Sequence, residues 1–469
     1  MSRAWSLGGG VATVASIAVA VLASRPSPSP ASPAPRLLNS TIEAPRFLPK
    51  GAGSCAASAC HGGDAAMAPP ASNVLRNEHT TWITSDPHAL AFEILSNERS
   101  ERIERNLGKA TNSFISAAND ARCLACHALP TAENAGPDLA DTIRRDGVSC
   151  ESCHGDSSAW IGEHTRFDWM GLDRTAKSQS FNFTNLRDLN TRAQTCAGCH
   201  VGAPADPSRG VPARDVNHDL IAAGHPRLNW EFSAYVANYP KHWIQKEKTP
   251  DWDAKLWKIG QAATLRASAD LLASRADQAS QKKAPWPELS EYGCFSCHFG
   301  LKETPFRGNR DPNTPLGTPQ WASWNLPMAE MLAKTDPTAN GVDAKIANLR
   351  KTMGNLVADP AIVRSEAEAL RASLDGWLAT PNAFVFDPNG MNTIINTLNA
   401  RDANGKRTLA RNWDSAAQIY LGLAAAHASI GQFGGNDPAL RSELATLLKE
   451  LGFEKGFDSP RDFGTGDRK

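Results

Sequence analysis

The chain has 469 residues, 49 basic against 49 acidic side chains, and a hydrophobic fraction of 41%. Zero formal charge leaves no electrostatic footprint for a nucleic-acid partner, and the length allows two to three soluble domains at roughly 150 residues each. Ten cysteines, and thirteen tryptophans against four tyrosines, are the features that this bulk composition leaves to be explained.

The first residues read as an export signal, with Arg3 as the positive start and an apolar run from Leu7 to Ala23. Val21, Leu22 and Ala23 are placed to precede a cleavage point, yet a run of about 17 residues also reaches the lower limit for a spanning helix. Residues 1–24 are therefore a signal peptide or an N-terminal membrane anchor. Ser24 to Pro35 alternates Pro, Ser and Ala, so residues 25–50 read as an extended linker. No later segment is apolar enough over a sufficient length to span a bilayer.

All ten cysteines then fall into five pairs, each closed by a histidine: Cys55, Cys60 and His61; Cys123, Cys126 and His127; Cys150, Cys153 and His154; Cys196, Cys199 and His200; Cys294, Cys297 and His298. Four pairs are CxxCH, the attachment signature of haem c, in which two thiols add to the porphyrin vinyl groups and the adjoining imidazole ligates the iron. The first is a looser CxxxxCH. Zinc sites and disulfides also use paired cysteines, but neither requires histidine at the next position five times over. Five haem c groups are expected. Attachment of haem c in bacteria takes place outside the cytoplasmic membrane, which agrees with the export signal. Flat tryptophan side chains suit packing against porphyrin faces.

If each iron takes a second histidine, seven remain to supply five: His79, His88, His164, His218, His225, His242 and His427. His88 follows Asp86 and Pro87, a helix-start pattern whose positive dipole end keeps the ring neutral and able to bind iron. His164 follows the central motif by a short interval, and His79 lies beside Trp82. A short helix from Val216 to Ala223, stopped by Gly224, sets His218 in its first turn and His225 past its end, too far apart to serve one iron from the same side. His242, between Lys241 and Trp243, reads as a propionate or surface group as readily as a ligand. His427 sits in an Ala-rich helix and reads as a core histidine.

A structural helix is expected from about Trp252 to Ala276, then the fifth motif at Tyr292 to Phe299, then a Pro- and Gly-rich loop from Phe306 to Gln320. Beyond it, Asp359 with Pro360 starts a helix with apolar residues at Val363, Ala367, Leu370, Leu374 and Trp377. Asp414 starts another through Ile419, Leu423 and Ile430, and Asp437 with Pro438 a third through Leu440, Leu444, Leu447 and Leu451. The expected fold is mainly α with little regular sheet: a haem-organised core over 51–305 and a C-terminal helical bundle over 306–469.

The haem region resembles the cytochrome c-554 family over about Ser54 to Phe299, most specifically in GVSCESCHG at 147–155, DPHALAFEIL at 86–95 and the segment His218 to Trp243. That family shares its haem arrangement with pentahaem nitrite reductase and octahaem hydroxylamine oxidoreductase. The resemblance implies closely spaced parallel and perpendicular haem stacks. It also implies a ligand map: His88 to the haem of Cys150 and Cys153, His164 to that of Cys55 and Cys60, and His218 and His225 to those of Cys196 with Cys199 and Cys294 with Cys297. The haem of Cys123 and Cys126 is left with His79 or with nothing, and one haem of the c-554 pattern is five-coordinate.

Two functions follow. The first is a periplasmic or outer-face electron carrier, taking electrons from a membrane quinol-linked donor or another redox protein and tethered through its N-terminus if the anchor is retained. The second is an oxidoreductase in which the iron of Cys123 and Cys126 stays open to nitrite, hydroxylamine or a similar small compound, with Tyr235, Tyr239, Arg227 and His242 lining the pocket. Every motif here ends in histidine, whereas nitrite reductases of this group mark their catalytic haem with CxxCK.

Overall fold

The computed structural model describes residues 48–64, 74–245, 248–298, 317–380 and 383–452. The export segment, nearly all of the linker and the loop residues 306–316 lie outside them. Among the described residues the regular structure is helical, with no sheet, and strand-like pairing is limited to isolated bridges such as Ala203 with Arg214. The protein is mainly α.

One helix organises the larger core. Trp252–Ser280 is buried all round, as a helix must be when neighbours cover every face. Alanines 254, 262, 263, 267, 269, 273 and 276 keep its surface low, and Gly260 and Gly422 let Phe232 and Trp257 approach helix backbones where a Cβ would collide. Pro360–Ala379, Leu189–His200, Trp413–Gln432, Phe232–Asn238 and Pro327–Thr335 all pack against it. Two buried polar contacts cross from it to Trp413–Gln432: Gln261 Nε2 donates to Gln418 Oε1 at 3.1 Å, and Ser429 Oγ accepts the Ala254 N–H at 3.0 Å.

The expected stripe Val363, Ala367, Leu370, Leu374 and Trp377 is buried against this core, with Asp359 capping and Pro360 in the first turn. Asp437 caps Pro438–Leu451 in the same way. Asp414 does not start its helix: Asn412 is the cap, in a reciprocal box with Ser415, while Asp414 is buried and holds Arg227 Nη1 at 2.8 Å. Helices Val342–Met353 and Pro388–Asn399, absent from the sequence reading, complete the layer. The cluster draws on side chains from Ala193 to Leu447, so the expected boundary at 305/306 runs through a shared core.

The segment before residue 190 is built differently, from short helices and 3-10 turns joined by loops. The DPHALAFEIL segment, expected to open a helix, forms 3-10 turns at Pro87–Leu90 and Glu93–Ser96, with Asp86 capping the first.

Candidate functional site

Each motif is fixed by a local device. Asp120 caps Ala121–His127 through the Arg122 N–H, placing His127 at that helix's end. Glu151, inside Cys150–His154 and 4% exposed, accepts the N–H groups of Lys50, Gly51 and Ser157 and the Ser157 hydroxyl, tying the chain's entry to the third motif. Asp188 caps Leu189–His200, whose Ala193 and Ala197 pack into the large core and carry Cys196, Cys199 and His200. The fifth motif is anchored by Arg275, which pairs with Asp215 and with Glu291 at 2.5 Å, and by the Gly293 N–H donating to Gln320 O at 2.7 Å.

The five motif histidines each face one other histidine. Ring centroids are 6.3 Å apart for His61 and His164, 6.4 Å for His127 and His225, and 6.5 Å for His154 and His242. They are 6.0 Å apart for His200 and His88, and 6.3 Å for His298 and His218. Two imidazoles bound to opposite faces of one metal, with bonds of about 2 Å each plus the half-width of each ring, have centroids roughly 6.3 Å apart. The rings are near parallel for His61/His164 at 13° and His218/His298 at 24°, and crossed at 80°, 68° and 80° for the other three. Among the described residues no three His, Cys, Asp or Glu groups are arranged to cage a bare metal ion. Histidines converging in twos are what an iron needs when a porphyrin fills its equatorial positions.

In five of the ten rings the outward Nδ1 is engaged, which fixes the tautomer and leaves Nε2 to a metal. His61 Nδ1 bonds Glu78 Oε2 and His88 Nδ1 bonds Asp86 Oδ1, both at 2.9 Å. His127 Nδ1 bonds Ala91 O at 2.9 Å, His164 Nδ1 bonds Ile161 O at 2.7 Å, and His225 Nδ1 bonds Pro226 O at 2.8 Å. Burial, with His242 and His88 close by, pulls His154 and His200 down to about 4, and burial lowers His127, His225 and His242 as well. These rings are held neutral, the state that ligates iron. His61 is the exception, raised chiefly by its Glu78 bond.

Residues 55–155, which hold the first three motifs, match the family model described as cytochrome c554 and c-prime. This region is that of a cytochrome c554-like multihaem cytochrome c. No curated protein and no solved structure matches the chain. The cytochrome family implies haem c as the cofactor, and the paired imidazoles and paired cysteines fit it.

The observed histidine pairing differs from the implied ligand map at three places. His88 lies opposite His200 instead of His154: the Val148 N–H donates to the His88 carbonyl at 3.0 Å, so the third motif touches this residue's backbone while the ring, held by Asp86, faces the fourth. His225 faces His127 and not a later motif, because Gly224, at φ 126°, turns the chain sharply after the helix His218–Ala223. His79 is packed on Trp82 at 5.5 Å and faces no motif histidine among the described residues. His164 lies opposite His61, and His218 opposite His298.

His242, which the sequence left open between ligand and propionate or surface group, stands opposite His154. Nothing local marks it, since it sits in neither a helix start nor a turn. Its place is set by long-range contacts: Tyr239 bonds Asp86, and Trp243 lies under the Arg192 guanidinium at 5.1 Å. The pocket suggested for Tyr235, Tyr239, Arg227 and His242 does not form, because Arg227 is bound to Asp414, Tyr235 sits edge-on to His200, and Tyr239 is bound to Asp86. His427 lies half-buried in Trp413–Gln432.

The tryptophans divide by role. Trp230 stacks on His200 at 6.4 Å, Trp160 and Trp169 meet the His164 ring edge-on, and Trp243 meets His242. Trp257, Trp324 and Trp377 fill core. The motifs also touch one another. The Cys55 sulfur lies close to that of Cys150, the Cys126 sulfur close to that of Cys199, and Cys153 near Cys196 and Cys199. In space the motifs therefore run first, third, fourth, second. The fifth joins through Arg227, which reaches Cys294 from a position two residues beyond His225.

Proposed function

We propose that the protein is an exported electron-transfer cytochrome that relays electrons through five covalently attached haems, each closed by histidine on both faces. The observation that carries this reading is the set of five histidine pairs at 6.0–6.5 Å, one for every cysteine pair in the chain. Haem c supplies a one-electron iron couple, and histidine on both faces leaves no coordination position for a substrate and favours a low potential. The protein's part is to orient the ten paired imidazoles, holding the buried His127, His154, His200, His225 and His242 neutral, and to bring the cysteine pairs close together in the order first, third, fourth, second, with the fifth joined through Arg227.

Export is supported by the family and by the sequence of residues 1–24; no described helix is long and apolar enough to cross a membrane. The partners we propose are a membrane quinol-linked donor, or another redox protein, at one end of the row and a soluble acceptor at the other. An oxidoreductase acting on nitrite or hydroxylamine is disfavoured because His225 stands opposite His127, the one iron for which an open face was expected.

The test is electron paramagnetic resonance on the oxidised holoprotein. Crossed ligand planes leave the two iron π-orbitals nearly degenerate and parallel planes split them, so two rhombic and three large-g low-spin signals are expected, unchanged by nitrite or hydroxylamine. His225→Ala and His242→Ala each convert one haem to high spin. A high-spin signal in the unmodified protein that shifts with nitrite overturns the carrier reading in favour of the enzyme.

A further inference from the structure

We propose that Asp86 and Tyr239 form a potential-setting pair for the haem held between His88 and His200, with Asp86 lowering its reduction potential and Tyr239 restraining Asp86. The inference rests on the reading of His88 and His200 as axial ligands and adds residues that touch no iron.

Asp86 is 3% exposed and divides its two oxygens. Oδ1 accepts both the backbone N–H of His88 at 3.0 Å and its ring Nδ1–H at 2.9 Å. Oδ2 accepts the Tyr239 hydroxyl at 2.5 Å. Among the described residues no lysine or arginine is set against this carboxylate. Its charge is therefore spent on the ligand ring and on one phenol.

A buried anion that accepts the Nδ1 proton gives the ring imidazolate character, which strengthens its donation to iron and stabilises ferric over ferrous. The carbonyl partners of His127 and His225 carry no net charge and exert a weaker pull. Tyr239 competes for the same carboxylate. Its removal leaves Asp86 a stronger acceptor toward His88, so the two residues have opposite signs. Glu78 on His61 repeats the arrangement at the first motif, with a side chain 18% exposed and hence more screened by solvent.

The experiment is a potentiometric titration of the full-length holoprotein, followed optically and by paramagnetic resonance, for Asp86→Asn, Tyr239→Phe and Glu78→Gln. Asparagine keeps an oxygen to cap the His88 N–H. Asp86→Asn raises the midpoint of one haem so that its ferrous-to-ferric ratio at fixed potential grows at least about tenfold, a shift of about 59 mV for one electron. Tyr239→Phe shifts the same haem a few-fold the other way, and Glu78→Gln raises a different haem by less than Asp86→Asn does. Unmoved midpoints, or shifts of one sign in the Asp86 and Tyr239 variants, overturn the proposal. So does a high-spin signal in Asp86→Asn, which reduces Asp86 to a prop for the ring. If that variant fails to mature, the sign of the Tyr239→Phe shift decides. His88→Ala separates the layers: no new high-spin haem means that the ligand reading has failed, whereas one high-spin haem with unmoved Asp86→Asn potentials means that only this inference has.

Discussion

The two parts of the molecule are held together in different ways. Around Trp252–Ser280 a continuous cluster of fully buried side chains runs from Ala193 to Leu447. Before residue 190 the buried apolar side chains gather only in small groups, such as Phe92, Leu95, Ala117 and Ala128, or Ala52, Trp82 and Ala89. Apolar burial is the dominant favourable term in folding, and clusters of three or four residues supply little of it. What fixes the chain there is a set of directed bonds, to Glu151, Asp146, Asp86 and the His88 carbonyl, which specify geometry more than they stabilise it. The helical part is organised by its own side chains. The motif part has only small apolar clusters and is organised around directed bonds and its histidine pairs.

The largest test of that contrast is to make the full chain without covalent haem attachment. The expected outcome is loss of order before residue 190, read as rapid proteolysis there, while peptides from Trp252–Ser280 and 327–451 stay protected. Equal protection of both parts would show that side chains alone suffice in the motif region.

This division also decided what was legible in the sequence. Each cysteine pair and its histidine lie within a few residues of one another, so the five clusters could be read locally as candidate attachment motifs. Helix stops and starts with dedicated caps, at Asp359, Asp437 and Gly224, were legible for the same reason. The second histidine of each pair comes from far along the chain, and its choice depends on contacts such as Tyr239 to Asp86 that no window reveals. His242 was read as a propionate or surface group as readily as a ligand on that account, and His79, kept as a possible sixth ligand, packs on Trp82. Asp414 looked like a cap because Asp often is one; burial beside Arg227 overrode the local preference. The domain boundary was drawn where cysteines end, but Trp252–Ser280 precedes that point and packs with helices that follow it.

Lys258 tests the helical part. It is 7% exposed, donates to Asp336 at 2.7 Å and to the Ala383 carbonyl at 2.6 Å, and lies over the rings of Phe384 and Phe386. Burial pushes the Asp336 carboxyl up, and the hydrogen bonds from Lys258 and Thr338 outweigh it, so the group sits below its usual range. A depressed carboxyl contributes stability above its unfolded pKa that is lost as the pH falls through the folded value. Lys258→Met strands the carboxylate and costs about 3 kcal/mol, near the low end for a broken buried pair because Thr338 and Trp377 still donate to Asp336. Adding Asp336→Asn recovers part of that loss and flattens the acid limb of the stability curve. Denaturant unfolding with a double-mutant cycle measures both, and the haem spectra stay unchanged throughout.

Gly147 tests the motif part with a smaller effect and a different signature. It has φ +66°, and a Cβ there would lie 2.6 Å from the His88 carbonyl oxygen and 3.1 Å from that of Ala89. Those are backbone atoms with no rotamer to change. Gly136, in the same region, has φ +84° and open space around it. Alanine at Gly136 therefore carries only backbone strain, about 1–3 kcal/mol because φ 84° with ψ 164° is a conformation essentially restricted to glycine, and alanine at Gly147 carries positive-φ strain plus displacement of the His88 segment. The expected result is a larger fall in Tm for Gly147→Ala than for Gly136→Ala, accompanied by a changed resonance signal from one haem in the first variant alone. Equal losses with unaltered spectra would mean that the contact between GVSCESCH and DPH positions nothing, and that His88 is placed by Asp86 and Tyr239 without it.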